Sequence, residues 1–527
     1  MLIKFIVSII PVIPYIYLKS KKSLHMLQQN WYNDGNRYLK WIGNNKNKVF
    51  KNLDLLFLLF IIGLFINKLL LMILFVIFYC IISLIYLKNK SKEKEIKPLV
   101  FTKRVKRLVV TTYLIYILLI VIDILTFNEN NIVYYYLVFG LFIYLNYYVV
   151  FLANIINKPI EKMINNKFKR KAIKKLNSMN NMKVIGITGS YGKTSSKNIL
   201  NDILNVKYNS FATPKNFNTP LGIIITINNY LDKFNDLFIA EMGAFKRGEI
   251  KELCDLVHPT YGILTKIGVA HLESFGSQEN IQKGKFELIE SLPSNGIGVL
   301  NFDDPLQVQY KLKNNCKIVT IGIENKDVDV RATDIKLSNT GTTFNVIFKG
   351  DKTKYKFETK LLGRANVYNI LAGIALGYNL NINIDQLIIG VKKVKPVEHR
   401  LELKKMGNIN IIDDAYNANP DGAKMALDVL ENMPGKKIVI SSGMIELGTK
   451  EYELNFELGK YMSTKVDKVI LLGKEITKPI YDGLKDSKFK DENIVILKDI
   501  NEAINLIKNE TEDTYVLIQS DLPDIFN

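Results

Sequence analysis

The residues best suited to chemistry lie in one run, Val184-Ile-Gly-Ile-Thr-Gly-Ser-Tyr-Gly-Lys-Thr-Ser195. Gly189 and Gly192 permit backbone angles that other residues resist, so successive N–H groups can converge on phosphate oxygens. A helix opening at Lys193 would add the partial positive charge of its N-terminus. Lys193 can reach terminal phosphates, and the Thr194 hydroxyl can hold Mg²⁺. Thr188, Ser190 and Ser195 complete the expected phosphate cradle. The common nucleotide loop has Gly five positions before Gly192, where this chain has Ile187. The pattern here is Thr-Gly-x-x-Gly-Lys-Thr.

These residues need a strand before them and a helix after them. The β-rich run Lys183–Thr188 supplies the first. Further short strands are expected at Leu237–Glu241, Tyr261–Ile267, Gly298–Asn301 and Ile409–Asp413, alternating with helical patterns. That alternation predicts parallel sheets with crossover helices. Glu241 ends its strand, so its carboxylate belongs at the sheet edge where open α/β sheets bind ligands. A second α/β unit starts near residue 398.

More motifs follow in order: Glu241-Met-Gly-Ala-Phe-Lys-Arg-Gly-Glu-Ile250, His271-Leu-Glu-Ser-Phe-Gly276, Gly284-Lys-Phe-Glu287 and Leu300-Asn-Phe-Asp-Asp-Pro305. Then come Gly363-Arg-Ala-Asn-Val-Tyr-Asn369, His399-Arg400, Asp413-Asp-Ala-Tyr-Asn-Ala-Asn-Pro420 and Gly443-Met-Ile-Glu-Leu-Gly448. Over roughly residues 183–460 this set resembles the Mur ligases. Within that family it is nearest to the branch that adds D-alanyl-D-alanine to a UDP-muramoyl tripeptide. The resemblance implies an ATP-dependent acid–amino acid ligase of peptidoglycan precursor synthesis that works through an acyl phosphate. It implies ATP and Mg²⁺ as cofactors. Its partners would be a carboxylate-bearing muropeptide and an amino acid or dipeptide amine.

The resemblance also implies roles. Thr194 and Glu241 would hold one Mg²⁺. His271 and Lys285 would serve a second, with Lys285 carbamylated and Lys283 as the alternative lysine. Asn366 would contact adenine, although this chain has Ala365 where the family has His. Asn301 would line the nucleotide pocket. Arg400 and Asp413 would approach phosphates and ribose from the C-terminal domain on closure. Tyr416, Asn417 and Asn419 would shape that interface. Lys193, Lys285, His271 and Arg400 are the expected catalytic set.

The N-terminal third reads differently. Apolar runs cover 2–18, 53–87, 108–126 and 132–152, and 53–87 is long enough for two spans at about 20 residues each. Five spans are therefore expected, with the short one at 53–66 able to be re-entrant instead. Lysine and arginine crowd the intervening segments: eight in 19–52, nine in 88–107 and eight in 158–175. The positive-inside rule places these segments, and everything after about residue 153, in the cytoplasm. Asp123 is an acid within an apolar run. The basic stretch 158–182 is expected to be a helical connector lying on anionic headgroups.

The expected fold is thus α/β. A helical membrane region (1–157) and a connector (158–182) precede a P-loop-type central ATPase domain with a parallel sheet (183–397). A Rossmann-like C-terminal domain (398–527) follows. The chain reads as a multi-pass cell-membrane protein with cytoplasmic catalytic domains. The net charge of +20 belongs to the flanks of spans, so nucleic-acid binding is disfavoured. Three cysteines without a CxxC pair indicate neither a disulfide framework nor a zinc site.

Two departures bear on substrate. Membrane-type sequence stands where the family carries its UDP-sugar-binding domain. The end of the chain reads Tyr515-Val-Leu-Ile-Gln-Ser-Asp-Leu-Pro-Asp524 where a Lys-Gly-Ser-Arg-like segment is expected. A lipid-linked or polymeric acceptor would suit both. The competing functions are a poly-glutamate-type synthetase and a membrane NTPase.

Overall fold

The computed structural model describes the chain except for residues 31, 33–36, 91–97, 416–418, 446, 511–512 and 520–527. It divides into two units, Met1–Asn166 and Lys167–Leu522. Tyr416, Asn417 and the segment after Gln519 lie outside the described residues.

The first unit is helical. Among the described residues, three helical stretches are long and apolar enough to cross a membrane: Leu2–Gln29, Lys68–Lys88 and Lys103–Leu125. A fourth exists if Glu129–Tyr144 and Asn146–Asn177, bent by 74°, form one broken span. Five separate spans are therefore not found. The missing one is Asn52–Leu64, a 13-residue 3₁₀ segment shorter than a full α-helical span. Leucines and isoleucines such as Leu58, Ile61, Ile73, Ile77, Leu114, Ile117 and Leu118 point outward. Polar groups sit inside: Lys19, Ser20, Ser23, Asp54 and Asn146 are all buried. This inversion of the water-soluble arrangement suits a lipid environment.

The break at Leu145 explains part of the polar interior. The Tyr148 amide turns to Leu145 O at 2.8 Å and leaves the carbonyl of Tyr144 to other partners. Lys19 Nζ donates to Tyr144 O at 3.3 Å and to Asp54 Oδ2 at 2.6 Å. Tyr15 OH donates to the other oxygen of Asp54. Asn146 donates to Ser20 and Tyr116 and accepts from Ser23. A helix end buried in apolar surroundings needs such partners.

The second unit carries two sheets. The nine strands of the first are β1 (Lys183–Thr188), β2 (Ser210–Ala212), β3 (Leu237–Glu241), β4 (Tyr261–Leu264), β5 (Ile297–Asn301), β6 (Lys317–Gly322), β7 (Val330–Ser338), β8 (Gly341–Phe348) and β9 (Tyr355–Thr359). Their order is β2-β3-β1-β4-β5-β6-β7-β8-β9. Pairing is parallel as far as β7 and antiparallel from β7 to β9. The antiparallel edge adds to the parallel sheet read from sequence. Its strands alternate buried and solvated positions, as one-faced strands do. By contrast, β1 and β3 are buried on both faces, between two hydrophobic clusters.

β1 lies between β3 and β4, so the chain leaves it first to one side and then to the other. That makes the C-terminal end of β1 a topological switch point, where ligands of open α/β sheets bind. The second sheet contains β10 (Glu402–Met406), β11 (Ile409–Asp414), β12 (Lys436–Ser441), β13 (Lys468–Leu472), β14 (Ile494–Leu497) and β15 (Thr514–Gln519). Its order is β10-β11-β15-β12-β13-β14, with only β10 antiparallel. The connector is helical to Asn177, and its last turns pack on protein. Ala172 is buried, and Ile173 and Leu176 pack against the central-domain core.

Candidate active site

The loop after β1 has the backbone the glycines predict. Gly189 has φ 152°, and a Cβ there would overlap the Thr265 hydroxyl. Gly192 has φ 78° and precedes the helix Lys193–Leu204. Thr265 Oγ1 donates to Tyr191 O at 2.6 Å and to Thr188 O at 3.1 Å. Thr188 Oγ1 donates to Met242 O at 2.8 Å, and the Ser190 amide to Lys266 O at 2.9 Å. The loop is thus fixed by β3 and β4 on either side. Ser195 is buried in the first turn of the helix.

Lys193 Nζ folds back onto the loop, donating to Gly189 O at 2.8 Å and Ser190 O at 3.0 Å. Loss of hydration lowers its pKa to about 8; Glu241 opposes that shift and Arg400 adds to it. The coupling brings Arg400, from the segment before β10, electrostatically close to the loop.

Glu241 is the focus of the site. Thr194 Oγ1 donates to its Oε1 at 3.0 Å, and Asn218 Nδ2 donates to the same oxygen at 3.1 Å. Lys197 Nζ pairs with Oε2 at 3.2 Å, with side-chain exposures of 0% and 1%. Lys197 also donates to Lys215 O. Burial lowers the Lys197 pKa, and Glu241 pulls it back. Lys197 and Asn218 did not emerge from the sequence motifs. A signal existed for Lys197: it lies four residues after Lys193, on the same side of the helix one turn on.

Around residues 244–245 a second group gathers. Lys285 is 1% exposed and donates to Ala244 O at 3.3 Å. Its ammonium position lies 5.3 Å from the Phe275 ring centre. Burial, reinforced by Lys193, holds its pKa well below the ordinary lysine value. The His271 ring lies 4.5 Å from that of Phe245, on a backbone with φ 61°. Lys283, the alternative lysine, is on the surface and pairs with Glu279 at 2.6 Å.

Asn366 donates to Leu362 O at 2.9 Å and neighbours Asn369, whose amide lies beside Gly192. This places the Gly363–Asn369 motif against the phosphate loop. Asn301 closes the turn after β5 by accepting from the Asp303 amide at 3.0 Å. Asp413 is held within the C-terminal domain by His399 Nδ1 at 2.8 Å and Lys404 Nζ at 2.7 Å. Although burial works against it, these partners keep its pKa below the usual carboxylate value. Asn419 caps the helix Pro420–Glu431 through the Gly422 amide at 2.7 Å. Lys266 and Asp421 link the two sheet domains at 3.4 Å.

Among the described residues, no three His, Cys, Asp or Glu side chains are placed to hold a metal ion. Hard oxygen donors are nevertheless ready at Thr194 and Glu241. Mg²⁺ typically takes one or two protein carboxylates and completes its shell with phosphate and water oxygens. The donor set fits that ion.

Comparison with known proteins bears on the family and the fold. The Mur ligase middle domain matches residues 187–377, and the Mur ligase glutamate ligase domain matches 399–522. UDP-N-acetylmuramoyl-tripeptide–D-alanyl-D-alanine ligase of Bacillus subtilis is 34% identical over 297 residues, 55% of this chain and 63% of that protein. The chain thus spans less than two thirds of that relative. The enzyme of the same name from Buchnera aphidicola (subsp. Acyrthosiphon pisum) is 31% identical over 57% of this chain and 67% of its own length. The structure of MurF ligase from Thermotoga maritima in complex with ADP superposes with a TM-score of 0.60 at 27% identity, covering 68% of this chain and 80% of that one. The chain belongs to the Mur ligase family.

Proposed function

We propose that the protein is a membrane-anchored, ATP-dependent amide-bond ligase of cell-wall precursor synthesis. Its reaction would be of the D-alanyl-D-alanine-adding type, on a UDP-linked or a related lipid-linked muropeptide. The observation that carries this reading is the convergence of Thr194, Asn218 and Lys197 on the Glu241 carboxylate, beside a phosphate loop whose lysine is poised at its mouth.

In this reading the loop amides and Lys193 bind the terminal phosphates of ATP. Mg²⁺ at Thr194 and Glu241 would offset the negative charge gathered between phosphates and substrate carboxylate. A carboxylate oxygen attacks the terminal phosphorus and ADP leaves. The amine nitrogen then attacks the acyl carbon, phosphate leaves, and the amine gives up a proton. Arg400 approaches from the C-terminal domain, and closure keeps water from the acyl phosphate. An uncharged Lys285 amine can add to carbon dioxide and release a proton, giving an anionic carbamate whose oxygens would serve a metal together with His271. Asn366 and Asn301 border the nucleotide, and Asp413 joins on closure. The apolar exterior and polar interior of the first unit support anchorage in the cell membrane, with the ligase domains in the cytoplasm where ATP is found.

The test is ADP release and amide formation by the purified full chain, with UDP-linked and lipid-linked muropeptides in parallel and D-alanyl-D-alanine as amine. ATP hydrolysis that needs no carboxylate acceptor would favour a membrane NTPase. Amide formation only with glutamate and a glutamate polymer would favour a poly-glutamate-type synthetase.

A further inference from the structure

The helix Asn146–Asn177 carries a pattern that neither the ligase chemistry nor its packing requires. At 3.6 residues per turn, Leu152, Ile156, Ile160, Met163, Lys167, Arg170 and Lys174 fall on one side. Asn154, Asn157, Glu161 and Ala172 fall on the opposite side and are buried. On the outward side the apolar members are open: Leu152 46%, Ile156 49%, Ile160 46% and Met163 72% exposed. Lys167, Arg170 and Lys174 continue the same stripe and are also exposed. One stripe therefore turns from apolar to cationic between Met163 and Lys167.

The change of character has a natural scale. From Met163 to Lys174 the helix rises about 16 Å, and Lys and Arg side chains reach back several ångströms along it. A bilayer passes from hydrocarbon to headgroup within that distance. The only acid in the whole helix is Glu161, and Arg107 binds both of its oxygens, at 2.7 and 2.8 Å. The stripe thus has no carboxylate of its own to neutralise it. At its end lies a groove of about 470 Å³ lined by Arg170, Ile173, Lys174, Asn177 and Ser178. Two cations flank an apolar wall there, a surface suited to an amphiphile with an anionic head.

We propose that Lys167, Arg170 and Lys174 form a docking site for anionic phospholipid headgroups, with the Arg170–Lys174 groove receiving one of them. The site rests on the membrane reading above and goes beyond it by assigning lipid class and residues. The cations select phosphate-bearing heads of net negative charge. The apolar stripe above them sets the depth at which those heads meet the helix. An acidic protein would match the cations but not the exposed apolar stretch leading into them.

The test uses the full chain in lipid nanodiscs of phosphatidylcholine alone or mixed with phosphatidylglycerol, with retained lipids read by native mass spectrometry. The wild type is expected to retain phosphatidylglycerol preferentially, by about fivefold per cation, with the preference fading at high salt. The triple variant Lys167→Gln, Arg170→Gln, Lys174→Gln is expected to lose the preference while keeping its nucleotide affinity. The charge-preserving variant Lys167→Arg, Arg170→Lys, Lys174→Arg keeps the preference, which separates charge from folding. Equal retention of the two lipids by the wild type, or a preference undiminished in the triple variant, overturns the proposal and leaves an acidic protein as the partner. A wild type that enters neither nanodisc ends the membrane reading itself.

Discussion

Among the described residues, each unit holds a lysine–carboxylate pair almost out of reach of water, and the two pairs sit in different surroundings. In the first unit Lys19 meets Asp54 at 2.6 Å, and the pair is closed on every side. Tyr15 takes the second carboxylate oxygen, and the ammonium also satisfies Tyr144 O. In the second unit Lys197 meets Glu241 at 3.2 Å, and the remaining donors to that carboxylate are a threonine hydroxyl and an asparagine amide. Both carboxylates take their remaining hydrogen bonds from neutral donors, so the two pairs differ in place rather than in the type of partner. Burial of charge therefore does not by itself mark a catalytic site. What sets Glu241 apart is its place at the end of a central parallel strand, next to the glycine loop that follows β1.

The largest effect expected from this contrast is in the first unit. Lys19→Met leaves Asp54 buried without its cation, so unfolding in detergent should become easier by about 3–5 kcal/mol. Nucleotide affinity should not change. The double variant Lys19→Met, Asp54→Leu should recover most of the loss, because both charges leave together. If it does not, Lys19–Asp54 has a role beyond closing the broken helix.

Lys193→Ala comes next. If Lys193 binds the terminal phosphates as proposed, removing its cation should lower turnover by about a hundred- to a thousandfold with little change in melting temperature. An intact rate would remove the phosphate loop from the chemistry.

Lys197→Met sharpens the comparison most directly. The variant should melt earlier than the wild type without metal, and Mg²⁺ with nucleotide should restore more of its stability than it adds to the wild type. Mg²⁺ should restore nothing to Lys19→Met. Equal responses of the two variants to Mg²⁺ would mean that the Glu241 carboxylate is as closed as that of Asp54.

The two regions also differed in how much could be read from sequence. β1 and β3 begin and end where the apolar runs do, because strands buried on both faces leave continuous hydrophobic signals. Lys193, Thr194 and Glu241 were legible because glycine geometry and strand-end position are local properties. Lys197 and Asn218 were not, since their importance comes from the approach of β3 to the helix after β1, a contact between residues far apart in sequence. The β7–β9 edge alternates in burial rather than running apolar, and it escaped for that reason. The expected spans are least regular at Asn52–Leu64 and Leu145, where apolar composition continues but the backbone changes its helical form or direction. Hydropathy registers neither change.

The smallest predicted effect is a proton. In the folded chain Lys193 releases its proton near pH 8, because burial outweighs the nearby Glu241 carboxylate. In the unfolded chain a lysine holds its proton to about pH 10.4. Between those values the unfolded state binds more protons, so this residue makes folding more favourable as pH rises through that window. Bound phosphates act the other way: they favour the charged ammonium and raise its pKa. Nucleotide binding above pH 8 must then take up a proton, and affinity must fall as pH climbs further. Calorimetry in buffers of different ionisation enthalpy measures that uptake. Lys193→Met should abolish it, whereas Lys19→Met, a change in the other unit, should leave it intact. Proton uptake that persists in Lys193→Met would assign the titration to another group, with Lys285, also held below its ordinary value by burial, the first to examine.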